Sequence, residues 1–207
     1  MAARFLVMLL ALAAWAAALM PLGAAEWAWI EAEGPAKVAD GLPARRHLPG
    51  PAERVSGQVL QIEIPAEKTA EVLGEGKDIT YEFTLKAGGK HELWARLALE
   101  FVRSPFSWRL DDGEWHAVSA NREEKDLATD LMEIAFWYEL GWLRLGAPEL
   151  AAGKHALALR FAPPKEMKDG KEVPARVACA FDAFCLYQGQ WAPNGPHRPD
   201  APAAPAA

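Results

Sequence analysis

The chain has 207 residues, 51% of them apolar and 24% charged, with a formal net charge of −6. That length suits one ordinary domain or at most two small ones, and the apolar fraction excludes a disordered chain. The acidic balance argues against a nucleic-acid binder and against a polybasic membrane-surface protein, because both need basic patches. Nine Trp against three Tyr, with 16 Gly and 16 Pro, favour a turn-rich β-sandwich whose aromatic residues fill a core or line a ligand surface.

Residues 1–25 read as a secretory signal. Arg4 precedes an apolar run from Phe5 to Met20, and Pro21 with Gly23-Ala24-Ala25 then leads to Glu26. The alternative is an uncleaved anchor, since Phe5 to Ala25 is long enough to span a bilayer. Cleavage leaves no membrane span, and the expected location is secreted or periplasmic. Residues 26–190 then make the domain, and 191–207 reads as a disordered Pro/Ala tail.

Within the domain, WAWIEAE (27–33) reads as a first strand and 34–55 as a long polar loop. QVLQIEI (58–64) alternates until Pro65. ITYEFTLKA (79–87) turns at Gly88-Gly89 into KHELWARLALEF (90–101), its expected hairpin partner. PFSWRL (105–110) turns at Asp111-Asp112-Gly113 into EWHAVS (114–119). Leu127, Leu131 and Ile134 stand at helical spacing behind Asn121, so 120–136 reads as a short helical insertion. WLRLG (142–146) and KHALALRFA (154–162) return to extended character, 163–175 reads as a charged loop, and VACAFDAFCLY (177–187) is the last strand. The sum is an all-β chain: a β-sandwich or jelly roll of about eight or nine strands.

Two smaller features follow from this reading. KAGGKHELWARL (86–97) echoes LAAGKHALALRF (150–161), so the same turn chemistry is used twice and His91 and His155 serve it. Cys179 and Cys185 stand six residues apart in one extended strand, roughly 20 Å between Cα atoms. A disulfide needs less than about 7 Å, so two buried thiols are expected.

Four segments in order resemble carbohydrate-binding modules of families 6 and 35: the opening Trp-Ile-Glu-Ala-Glu (29–33), ELWAR (92–96) with SPFSWRLDDGEW (104–115), LGAPELAAGKHALALRF (145–161), and AFDAFCLY (180–187). The resemblance covers most of 27–190 and implies a galactose-binding-like jelly roll. Trp-Ala-Pro-Asn-Gly (191–195) is similar to the ends of related exported bacterial proteins. The 120–140 insertion departs from the pattern, and the family's aromatic ligand sandwich has no counterpart here.

The resemblance implies that Glu31 and Glu33 on the first strand, with Asp182 on the last, hold a structural Ca2+. Two carboxylates two residues apart leave one face of a strand, and a hard cation takes several oxygens. The residues alone leave two other readings: solvated carboxylates, or Asp182 paired with Arg96, Arg109 or Arg160. Asp182 lies in a strongly apolar stretch, where an unpaired charge is costly. For a ligand, the aromatic residues Trp115, Trp137, Tyr138 and Trp142 are the candidates, because indole and phenol rings stack on sugar faces; Trp94 and Trp108 are expected in the core.

No HExxH, GxSxG or phosphate-binding loop occurs. With no such motif, the resemblance implies an exported, non-catalytic module that binds a polysaccharide or other glycan. The alternatives are a structural or protein-interaction sandwich with a partner in the cell envelope, and a small polysaccharide-active enzyme.

Overall fold

The computed structural model describes residues 25–99, 104–120, 129–136 and 138–202. The signal segment up to residue 24, Trp137, and residues 121–128 of the expected helical insertion lie outside them. No helix among the described residues is long and apolar enough to cross a membrane.

In chain order the elements are β1 (Trp27–Glu31), β2 (Lys37–Val38), β3 (Ala44–His47), β4 (Val59–Ile64), α1 (Thr69–Leu73), β5 (Lys77–Leu85), β6 (Gly89–Ala98), β7 (Phe106–Leu110), β8 (His116–Val118), β9 (Thr129–Ala135), β10 (Tyr138–Gly146), β11 (Glu149–Leu150), β12 (Gly153–Phe161), β13 (Lys165–Lys168), β14 (Lys171–Pro174) and β15 (Val177–Gln188). They form a β-sandwich. An eight-stranded sheet runs β3-β4-β15-β6-β10-β9, with β1 also on β15 and β11 on β6; a five-stranded sheet runs β2-β5-β12-β7-β8. Leu93, Ala95, Leu97, Phe181, Phe184 and Leu186 of the first sheet meet Ile79, Tyr81, Leu157, Leu159 and Phe161 of the second. The Tyr81 hydroxyl crosses between sheets to donate to the Ala32 carbonyl, 2.9 Å away.

The number of strands exceeds the sequence expectation because short ones are added. The loop at 34–55 contains β2 and β3. The charged stretch at 163–175 folds as the hairpin β13–β14, turned by Asp169-Gly170 with φ of 52° and 74°, the backbone that an Asp-Gly two-residue turn favours. Residues 129–135 are a strand and not part of a helix: Met132 and Ile134 point inward while Leu131 is exposed. Among the described residues the one α-helix stands instead at α1, burying Thr69 and Leu73.

The expected β5–β6 hairpin does not form. β5 pairs with β12 and β2, whereas β6 pairs with β15 and β10. The Gly88-Gly89 turn is a corner between sheets, and so is the echoing turn before β12. Gly89 (φ 140°) opens β6 and Gly153 (φ 136°) opens β12, and each faces the strand that leads into the other corner: Gly89 opposite Leu150, Gly153 opposite Leu85. Non-glycine residues rarely adopt such positive φ. By contrast, β7 and β8 pair as the sequence suggested, Phe106 facing Val118.

β15 carries a bulge. Phe181 faces Leu97 and Ala183 faces Arg96, leaving Asp182 as the extra residue. The bulge shifts the alternation by one, so Cys179 points into the inter-sheet core while Cys185 points to the outer face. Both thiols are buried, as expected, and that of Cys179 donates to the Ser104 carbonyl at 3.5 Å.

Candidate functional site

The structure brings Glu31, Glu33 and Asp182 together on one short loop, Ser56-Gly57-Gln58. The bulge aims Asp182 outward, where Arg96 Nη1 donates to its Oδ2 at 2.6 Å; both side chains are fully buried. The Ser56 N–H donates to Asp182 Oδ1 at 3.0 Å, and the Ser56 hydroxyl to Glu31 Oε2 at 2.6 Å. Arg198 reaches Glu31 Oε1 at 3.1 Å, and the Gln58 N–H donates to Glu33 Oε1 at 3.0 Å. Burial pushes the Asp182 carboxyl upward; the Arg96 charge and the Ser56 N–H oppose that shift, and neighbouring Glu31 adds to it.

Of the readings left open by the residues, the Asp182–Arg96 pair is the one present. The expected calcium set does not fit. Its oxygens face N–H and O–H donors and two guanidinium groups, and a guanidinium 2.6 Å from Asp182 repels a dication. Among the described residues, no three His, Cys, Asp or Glu side chains come together in an arrangement that would hold a metal ion.

The aromatic candidates separate onto different sheets. Trp142 is fully buried, donating from Nε1 to the Gly195 carbonyl at 2.8 Å, so it cannot meet a ligand at the surface. It is covered by the segment after β15. Trp191 packs edge-on against Trp142 at 4.7 Å and lies near Trp29, Trp94 and Tyr187. The Trp191 N–H donates to Glu92 Oε2, and the Gly195 N–H to Asp130. Residues 191–202 thus form a packed strap, where the sequence suggested an unpacked tail. Tyr138 is half-buried on the same sheet, edge-on to His47, and its hydroxyl is buried without a partner. Burial drives the phenol upward and the His47 imidazole downward.

Among the described candidates, Trp115 alone lies on the outer face of the five-stranded sheet. On β12, Leu157, Leu159 and Phe161 face the core, so Lys154, Ala156, Ala158 and Arg160 face outward. The pairing register sets Arg160 between Asp78 and Ser107, and Ala158 between Thr80 and Arg109. The Trp115 ring receives both guanidinium groups, Arg160 at 4.2 Å and Arg109 at 4.5 Å from its centroid. Arg160 is neutralised by Asp78 through contacts of 2.7 and 2.8 Å, whereas Arg109 Nε is buried with no partner among the described residues. Further along the same face, Glu82, Thr84, Asp111, Lys154 and His155 line a shallow open depression. The arginines were visible in the sequence only as alternating charges; nothing local marked them as neighbours of Trp115.

His155 holds the depression's edge. Its Nδ1 meets Asp111 Oδ2 at 2.8 Å and its Nε2 the Ala151 carbonyl at 2.9 Å. With acceptors at both ring nitrogens, the charged form is favoured, and hydrogen bonding to Asp111 raises its pKa.

No protein-family model matches the chain, and no curated protein matches it. Solved structures similar to it include three sugar-related proteins. One is the C-terminal CBM6 of LamC, a laminarinase from Zobellia galactanivorans: 13% identity, TM-score 0.46, covering 78% of this chain and 99% of that one. Another is the GH26-CBM35 β-(1,4)-mannanase of Podospora anserina: 14% identity, TM-score 0.46, covering 82% of this chain and 29% of that one. The third is a Paenibacillus xanthan lyase: 13% identity, TM-score 0.47, covering 78% of this chain and 13% of that one.

Proposed function

We propose that the protein is an exported, non-catalytic module that binds a glycan chain along the outer face of the five-stranded sheet. The observation that carries the reading is the Trp115 indole in contact with the Arg109 and Arg160 guanidinium groups on a face that is otherwise small and polar. An indole offers a surface for sugar C–H groups, and guanidinium N–H donors suit hydroxyl or carboxylate oxygens. From Arg160 to Lys154 the outward positions of β12 extend about 20 Å, which suits an extended chain more than a single small molecule. Ala156, Ala158 and Thr80 keep that surface low between the ends.

Non-catalytic binding is favoured because the acidic side chains that meet each other or a base are engaged. Asp182 is held by Arg96, Asp78 by Arg160, and Asp111 by His155 and the Ala156 N–H.

The test is a glycan array of neutral and uronic-acid oligosaccharides, probed with residues 26–207 as wild type and as W115A. A defined glycan class bound at least tenfold more weakly by W115A, with melting unchanged, supports the site. Equal binding by both proteins rejects it.

A second reading has its own observation. Phe136 and Leu131 are 80% and 53% exposed on the β9–β10 hairpin, at the edge of the other sheet. If the array stays silent while pull-downs lose a partner on F136S, the chain is a protein-interaction sandwich.

A further inference from the structure

We infer that Arg96 is a built-in counter-cation that stands at the Asp182 carboxylate, beside Glu31 and Glu33, in place of a divalent ion, so that this sandwich folds without a metal. Five of the six oxygens of Glu31, Glu33 and Asp182 accept a hydrogen bond from the chain itself. Of the six, Glu33 Oε2 is the one buried without a partner among the described residues. Two of those donors, Arg96 and Arg198, carry full positive charges, which leaves three carboxylates and two guanidinium groups in one cluster.

Arg96 is fixed in this position from several directions. It sits in the middle of β6 opposite Ala183, beside the bulge that turns Asp182 outward. Its Nη1 also donates to the Arg54 carbonyl at 3.1 Å, and its Nη2 lies 3.8 Å from the Met132 sulfur. A divalent ion would reach Asp182 only by displacing this guanidinium, whose Nε already lacks a partner. The displaced charge would remain buried and unpaired, which is strongly unfavourable. The loop fits the arrangement as well: a Cβ on Gly57 would come within 2.2 Å of Glu33 Oε1, so a glycine stands where that carboxylate packs against the backbone.

The test is thermal melting of residues 26–207 in millimolar calcium chloride and in EDTA. A ion that binds only the folded state raises the melting temperature by mass action. Wild type is expected to melt at the same temperature in both, within about 1 °C. R96M is expected to melt roughly 10 °C lower, and calcium should restore part of that loss, because Asp182 is then left without its cation beside the Glu31 and Glu33 carboxylates. Should R96M fail to fold, R96K keeps the positive charge and should remain indifferent to calcium. A loss of several degrees by wild type in EDTA, a calcium response in R96K, or a folded R96M indifferent to calcium would each overturn the inference. None of these readouts involves the Trp115 face, so their failure is distinct from failure of the glycan reading.

Discussion

The two outer faces of the sandwich have opposite characters. On the eight-stranded sheet, Trp94, Arg96, Trp142, Ala183 and Cys185 are buried under the strap and the loop at 51–58. On the five-stranded sheet, the equivalent outward positions carry Glu82, Thr84, Lys154 and Ala156, exposed or half-buried on the face that also carries Trp115. Both faces set tryptophan beside arginine, so residue type alone does not separate them. What separates them is whether the chain supplies its own cover. A tryptophan that the chain covers contributes to stability, and one that it leaves half-open is available for recognition.

Substitutions that break this contrast are ranked by how much cover they remove. W142A empties a fully buried site and should destabilise by about 3–5 kcal/mol in denaturant melts. W191A removes half-buried cover and should cost roughly 2 kcal/mol, while moving the emission of the remaining indoles to longer wavelength. At the corner that joins the two sheets, G153A meets no atom within 4 Å, so its whole cost is backbone strain at φ 136°, about 1–3 kcal/mol by chemical unfolding.

H155A should cost about 1 kcal/mol, and its cost should depend on pH. The pKa of His155 is raised in the folded state, so its contribution is fully present below about pH 6.5 and is lost as pH rises through the folded value. Melting wild type and H155A from pH 5.5 to 9 should therefore give curves that converge at the alkaline end. W115A stands last for stability, at no more than about 1 kcal/mol, yet first for glycan binding. A large unfolding effect at Trp115 would erase the contrast between the faces.

The strands with one or both faces buried were legible in the sequence: 58–64, 79–87, 105–110, 154–162 and 177–187 show alternation or apolar density that survives folding. Sheet membership was not. A glycine turn between two alternating segments reads the same whether the strands pair or cross to opposite sheets, and Gly89 does the latter. β13 and β14 were invisible because nearly every side chain is exposed, which leaves no periodicity. The strap was missed because its Pro/Ala composition conceals that backbone groups of Gly195 satisfy Trp142 and Asp130. In the carboxylate cluster, the convergence of Glu31, Glu33 and Asp182 was readable from strand phase and resemblance. The identity of the cation facing them was not, since Arg96 lies 86 residues from Asp182 and was one of three arginines that met the requirement.

The bulge at Asp182 also gives the molecule two internal probes. Cys179 and Cys185 belong to one strand but lie behind different barriers, the first between the sheets and the second beneath the tryptophans and the strap. A thiol reagent can reach Cys185 once the strap lifts, whereas Cys179 requires the layers to part. The ratio of their labelling rates thus distinguishes peeling at the surface from opening of the whole sandwich, with no engineered residue.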